Sequence, residues 1–480
     1  MSDSVFYITL IGYWVVFFWN VFRHPFSLCY GETLDYEFTT FRLCGEYWRK
    51  FKIPQDPCYF KDFAGSRQGI YYPVNIIFSY IASFFKIDTA WRIHVFNILF
   101  HSLLTSFFAY HLFGKGLIGL FGALAWGYCA WHIKTQLYYV QGFTWITAAL
   151  YFVEHLYPIQ AGISLGLLLL CGHPLLVGVL CVLLPFLAVF KGLLTISTPL
   201  IAFTIGFPQI WAVWKYRKKA VGSTLTYEEK VKVGSLPVWV YAFMFLPIRI
   251  REKIAGLGFE EWNFYVTPLI GFFALFGRGD CWVLLAVAVC FSLGRSVFKL
   301  FSKFLPRFPH RFGYFAMLAI IVLGVDGLRR FNLPDKQLIL LNVFLGLLLW
   351  FNRDLIHIHP FSQWTKKPSQ SFETPLLKFL EENSKGYRVN NLPFPVYTGQ
   401  INHIKTCGYT GGNHSIKLGQ FLNIPKMGIA PYNWFDWRQD GELLDWFQIK
   451  YHIGKKPLDP KWIPTKFDNL WENTKAWKLT

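Results

Sequence analysis

Several common signatures of chemistry are missing from this 480-residue sequence. It has no nucleotide-binding loop of the GxxxxGK[ST] type, and it lacks the HExxH motif of metalloproteases. Its nine cysteines include no CxxC pair and no spacing typical of a metal site. These absences argue against ATP hydrolysis within this chain, so any chemistry must draw on an activated substrate.

Charged residues are also scarce, at 16%, whereas 54% of the residues are hydrophobic and 20% are aromatic. This composition predicts an all-α polytopic membrane protein rather than a soluble enzyme. The net charge of +19 does not indicate nucleic-acid binding, because no soluble basic module accompanies it. We expect membrane lipids as partners, either through anionic headgroups or as a phosphate-bearing lipid substrate.

Eleven apolar stretches are candidate membrane spans, for which about 20 residues are needed with some tolerance. They are residues 5–22, 91–112, 117–131, 143–153, 159–171, 174–190, 194–214, 264–276, 281–293, 312–325 and 338–351. The short stretches 72–85 and 236–248 are ambiguous, which gives about 11–13 transmembrane helices in all. The first stretch lacks a basic start and a cleavage site, so we predict that it is retained.

Composition changes sharply after residue 351. We therefore predict a transmembrane domain over 1–351, with a large first outer loop over 23–90, and a small α/β domain over 352–480. Within the tail, alternation predicts strands at 387–390 and 447–451, and residues 373–384 predict a helix. With the N-terminus inside, the first loop and the tail lie on the extracytoplasmic face.

The first loop holds the most unusual polar residues of the sequence. Glu32, Asp35, Asp56 and Asp62 lie just beyond the first apolar stretch. Carboxylates beside a low-dielectric layer are costly unless they are paired, solvated or used in chemistry. The loop is therefore either a solvated connection or part of a site. Cys29, Cys44 and Cys58 share the loop, as free thiols or with one disulfide if the loop is extracytoplasmic.

The order of motifs along the chain resembles that of the YfhO-like bacterial membrane proteins, relatives of the GT-C glycosyltransferases. The similar pieces run from the first stretch to the tail and include Gly31-Glu32 followed by Asp35, the segment IPQDPCYF, Gln68, YYPVN at 71–75, His132, Gly172-His173-Pro174, Pro208-Gln209, LPRFPHRFGYF and WFQIKYHIG. The resemblance implies a GT-C-like fold and a sugar transferase at the extracytoplasmic face of a bacterial inner membrane. Its donor would be a sugar linked to polyprenyl phosphate.

The resemblance also implies roles for particular residues. Asp35 would deprotonate the acceptor hydroxyl, and Glu32 would raise the pKa of Asp35 by like-charge coupling. The implied substrate-binding residues, with the arginines on the lipid phosphate, are Asp62, His132, Gln136, His173, Arg295, Arg307 and Arg311. A divalent cation between Asp35, Asp62 and a histidine stays open, since no ligand spacing indicates one.

Each of these residues also has a structural interpretation. Asp35 could cap a helix, the arginines could snorkel to the interface, and the histidines could be packed or hydrogen-bonded. Two other functions also stay open: a transporter or flippase for lipid-linked saccharides, and a non-catalytic scaffold for envelope assembly. The predicted spans contain few charges, which favours transfer over transport.

Overall fold

In a computed structural model of the chain, the described residues are 2–28, 38–52, 70–128, 137–171, 197–217, 227–228, 238, 240–241, 244–246, 265–293, 312–357, 367–390, 404–406, 448–454 and 461–476. The chain divides into two compact units that are not consecutive in sequence. Unit 1 comprises 1–27, 96–210 and 226–362, and unit 2 comprises 28–95, 211–225 and 363–480.

Helices dominate the described residues, and their bounds follow in chain order. They are α1 (Asp3–Phe17), α2 (Trp19–Arg23), α3 (Thr39–Arg49), α4 (Pro73–Ala82), α5 (Ile87–Leu112), α6 (Gly116–Gly127), α7 (Leu137–Glu154), α8 (Pro158–Leu170), α9 (Ser197–Arg217), α10 (Pro268–Ala274), α11 (Cys281–Ser292), α12 (Gly313–Arg330), α13 (Asp335–His357), α14 (Pro368–Phe372) and α15 (Pro375–Asn383), with a 3₁₀ turn at Pro25–Leu28.

The core of unit 1 forms around α12, which is buried along most of its length. It packs against α6, α10 and α11. Gly327 permits the closest approach to α10, because a Cβ atom at this position would lie 1.9 Å from the carbonyl oxygen of Phe273. On another side of the unit, α1 packs against α13, where the Tyr13 hydroxyl donates to the Gly346 carbonyl at 2.8 Å.

Unit 2 contains a five-stranded sheet in the tail of the chain. Its strands are β1 (Arg388–Asn390), β2 (Lys405–Thr406), β3 (Ile449–Ile453), β4 (Trp462–Pro464) and β5 (Leu470–Asn473), in the order β2-β1-β3-β5-β4. β1 is parallel to β2 and β3, and the other pairs are antiparallel. One face is covered by Leu377 and Leu380 of α15, which pack on Val389, Tyr451 and Leu470. The helix and both strands predicted in the tail are therefore present, as α15, β1 and β3.

The prediction of an all-α polytopic membrane protein with a GT-C-like set of about 11–13 transmembrane helices is wrong. Within the described part of the chain, α5 is the one helix long and apolar enough to cross a membrane, by length and composition. Apolar stretches predicted to span form shorter helices, with 15 residues in α1, 12 in α6, 13 in α8 and 12 in α11. At 1.5 Å per residue these reach roughly 18–23 Å, against a hydrocarbon core of about 30 Å.

Candidate functional site

All nine residues that the sequence singled out lie outside the described residues, so their predicted roles stay predictions. They are Glu32, Asp35, Asp62, His132, Gln136, His173, Arg295, Arg307 and Arg311. Of the three loop cysteines, Cys44 is described, and it is buried and not part of a disulfide. Within the described residues, no group of three or more His, Cys, Asp or Glu side chains is arranged to hold a metal ion.

Helix α5 carries a stripe of buried polar residues through its otherwise apolar sequence. His94, Asn97, His101 and Thr105 follow one another at intervals of three and four residues, and all four are fully buried. This spacing places them on one face of the helix. Polar and ionisable side chains in an apolar helix of span length are expensive, so each needs either a hydrogen-bond partner or a functional reason.

In unit 1, the His101 part of the stripe has its partners. The His101 ring Nδ1 lies 2.8 Å from the Asn97 carbonyl oxygen, and the Thr105 hydroxyl donates to the His101 carbonyl at 2.8 Å. Thr144 of α7 places its hydroxyl 2.8 Å from Thr105 Oγ1 and 2.9 Å from the His101 carbonyl oxygen. These bonds fasten α7 to α5, which gives this group a structural role.

In unit 2, His94 has a different environment made of aromatic rings. The ring centroids of Phe41, Trp91 and Phe38 lie 4.8, 5.6 and 5.8 Å from that of His94. Phe38 also meets Trp91 edge-on at 5.0 Å. We call Phe38, Phe41, Trp91 and His94 the His94 cage.

Neither ring nitrogen of His94 has a hydrogen-bond partner among the described residues, although the side chain is fully buried. A neutral imidazole offers one N–H donor and one acceptor nitrogen. Aromatic faces accept an N–H weakly and offer nothing to an acceptor nitrogen. Leaving such a group unpaired costs about 1–3 kcal/mol. The donor and the acceptor of His94 are therefore both unpaired within the described part of the chain.

The cage is held by close packing of the surrounding helices in unit 2. Gly45 brings α3 against α4 so closely that a Cβ atom there would lie 2.0 Å from the Ser79 carbonyl oxygen. Arg42 of α3 donates to the Ala82 carbonyl at 2.6 Å and to the Phe85 carbonyl at 2.9 Å, at the end of α4. Burial lowers the pKa of the Arg42 guanidinium, and the charge of Glu46 opposes this shift.

A carboxylate at the start of α5 fixes the tail to the same unit. The two oxygens of Asp88 accept from the backbone N–H and from the hydroxyl of Ser369, each at 2.9 Å. Nearby, the Phe372 ring lies 6.0 Å from that of Phe38. The cage is thus bordered by α3, the beginning of α5 and the short tail helix α14.

Aromatic rings and an imidazole are a suitable combination for recognising a sugar. The apolar C–H face of a pyranose can pack on aromatic rings, while its hydroxyls need donors and acceptors such as the two His94 nitrogens. His94 was not among the residues predicted to carry chemistry. The sequence did hold one indication of it: His94 is the first of four polar residues that recur after three, four and four positions inside the apolar stretch 91–112.

No protein-family model matches the chain, and no curated protein is significantly similar to it.

Proposed function

We propose that the protein transfers a sugar from a polyprenyl-phosphate donor to an envelope or lipid-linked acceptor. The observation that carries this proposal is the His94 cage, in which three aromatic rings surround an imidazole whose donor and acceptor have no described partner. Its place in the sequence agrees with the motif resemblance, since Phe38 is the third residue after Asp35.

Membrane lipids are proposed as partners because unit 1 exposes apolar helix faces. Ile8 of α1 is 69% exposed, Leu200 of α9 63% and Leu340 of α13 69%, and each has large apolar neighbours on its helix that are also exposed. Contiguous exposed apolar surface of this kind marks a protein or membrane contact. Because α5 could also cross a bilayer by length and composition, we propose a membrane location for the protein, in the bacterial inner membrane that the motif resemblance implies.

In the proposed reaction, the acceptor oxygen attacks the anomeric carbon of the sugar while the bond from that carbon to the phosphate oxygen breaks. The acceptor proton passes to the Asp35 carboxylate, whose pKa Glu32 tunes, and the electron pair leaves with polyprenyl phosphate. Arg295, Arg307 and Arg311 would stabilise the phosphate charge. His94 would hold the sugar by hydrogen bonds to its hydroxyls, with no part in the proton transfer.

The test uses the full-length protein in membranes with a radiolabelled polyprenyl-phosphate hexose. Asp35→Asn should lower transfer about 10²–10⁴-fold, because general-base participation contributes that much. Asp56→Asn, a second carboxylate of the same loop, serves as the matched control and should retain transfer. Wild-type transfer in Asp35→Asn, with normal expression, would refute the assignment of the base.

Movement of a lipid-linked saccharide across the membrane is the second candidate. The polar stripe of α5 favours it, because transport needs polar side chains along an apolar helix. Against it, the His101 part of the stripe is already hydrogen-bonded within the protein. Donor that crosses vesicle membranes without loss of its sugar would support transport, and formation of glycosylated acceptor would support transfer.

A further inference from the structure

Helix α9 carries another buried polar side chain, Gln209, that has no hydrogen-bond partner among the described residues. It lies far along the sequence from the His94 cage. In unit 1, α8 and α9 pack in parallel through glycines. Cβ atoms added at Gly162, Gly166 and Gly206 would lie 2.9, 2.6 and 2.5 Å from the Cβ atoms of Ile201, Ile205 and Leu169. These contacts fix the alignment of the two helices. Gln209 comes three residues after Gly206, at the level where α8 ends.

The Gln209 side chain is 1% exposed, and neither its Nε2 nor its Oε1 atom has a hydrogen-bond partner among the described residues. A primary amide brings two donors and an acceptor, which buried sites normally pair. Two other buried amides of the unit are paired at least in part. Gln141 is fully buried and has partners, and Asn342 donates through Nδ2 to the carbonyls of Leu117 and Leu338 at 2.9 Å, although its Oδ1 has no partner among the described residues.

Pro208 lies inside α9, directly before Gln209. Because proline has no backbone N–H, the Thr204 carbonyl loses its usual helical donor, and the helix is weakened at this level. The unpaired amide therefore coincides with an interruption of the helix. A side chain needed only for packing would gain nothing from the amide here, since an apolar residue of the same size would avoid the unpaired groups.

We propose that the Gln209 amide is a ligand-binding group that recognises hydroxyls of the saccharide part of the substrate. The amide is uncharged and pairs with neutral groups that both donate and accept, as a sugar hydroxyl does, whereas a phosphate would call for a cation. This inference rests on the proposed function for the identity of the substrate. It does not depend on whether the saccharide is transferred or transported.

The experiment compares Gln209→Met with Gln141→Met in the full-length protein. Thermal unfolding is measured for both variants. So is the binding of two probes, a polyprenyl-phosphate hexose and polyprenyl phosphate without a sugar. Gln209→Met should unfold at the wild-type temperature or higher, bind the hexose-bearing probe about tenfold or more weakly, and bind the sugarless probe unchanged. Gln141→Met should unfold at a lower temperature, because it leaves the partners of a paired amide unsatisfied.

Three results would overturn the inference: a drop in unfolding temperature for Gln209→Met matching that of Gln141→Met, an equal loss of affinity for both probes, or unchanged affinity for the hexose-bearing probe. Failure of the proposed transfer is recognised separately. A wild-type protein that binds the hexose-bearing probe and never transfers its sugar refutes the transferase, while the comparison of the two glutamine variants still decides the role of Gln209.

Discussion

His94 and His101 lie seven residues apart on α5, and both are fully buried. They differ in the hydrogen-bond partners of their ring nitrogens. His101 bonds to Asn97 and belongs to the threonine network that joins α5 to α7. His94 meets the rings of Phe38, Phe41 and Trp91, and neither of its nitrogens has a described hydrogen-bond partner. Burial alone therefore does not distinguish these two histidines, whereas the hydrogen bonding of their ring nitrogens does.

The largest effect is expected from truncating an aromatic residue that packs against His94. Trp91→Ala should lower the free energy of unfolding by about 3–5 kcal/mol, because it deletes a large, fully buried aromatic side chain. Trp91→Phe, which keeps a ring, should recover most of that loss. Denaturant unfolding of the full-length protein measures both. A loss below about 1 kcal/mol for Trp91→Ala would show that packing does not hold the cage together.

A smaller effect is expected from removing one hydroxyl of the hydrogen-bond network around His101. Thr144→Val keeps the shape of the side chain and deletes the hydroxyl near Thr105 and the His101 carbonyl, so it should cost about 1–3 kcal/mol. The control is Thr204→Val. The exposed Thr204 hydroxyl donates to the Leu200 carbonyl of its own helix, so this variant should change stability by less than about 0.5 kcal/mol. An equal loss of unfolding free energy in the two variants would mean that the buried hydroxyl contributes no more to stability than the exposed one.

The smallest effect is expected where polar groups pair in solvent. Just beyond the end of α5, the ammonium of Lys115 lies 3.1 Å from Asp3. The hydrogen bond from Lys115 holds the pKa of Asp3 below its usual value of 3.8, and Asp3 raises the pKa of Lys115 above 10.5. The contribution of the pair is therefore complete near neutral pH. It is lost as pH falls through the lowered carboxyl pKa, and again as pH rises through the raised ammonium pKa.

Comparing the unfolding of Lys115→Met with that of wild type across pH tests this prediction. The difference should be small, should be greatest near neutral pH, and should shrink with added salt, because exposed ion pairs are screened. A difference that grows outside that pH range would contradict the assignment of the pair.

The positions of many helices and strands could be predicted from the sequence, but the structural class of the protein could not. Most apolar stretches lie on helices, and α15, β1 and β3 lie where alternation and periodicity predicted them. The membrane class was wrong because the count used apolar length, whereas α6 and α11 end after 12 residues. The strand order could not be predicted, because it depends on pairings between β1 and β3, about 60 residues apart.

The predicted site fared differently from the fold. Asp35 and the other eight residues rest on motif resemblance and lie outside the described residues, so they stay predictions. The importance of His94 and Gln209 could not be predicted from the sequence, for a physical reason. A sequence shows that a polar residue falls in an apolar stretch, but only coordinates show whether its donors and acceptors are paired.

The most direct measurement replaces each histidine of α5 by phenylalanine and records both stability and sugar transfer in the full-length protein. His94→Phe should keep or raise the free energy of unfolding, because it removes unpaired polar atoms from an aromatic cage. It should also lower transfer about 10- to 10²-fold, through the loss of one or two hydrogen bonds to the sugar. His101→Phe should lose about 1–3 kcal/mol of stability, with transfer falling only in proportion to the folded fraction. Wild-type transfer in His94→Phe, or a loss of stability matching that of His101→Phe, would contradict the assignment of His94 as a ligand-binding group.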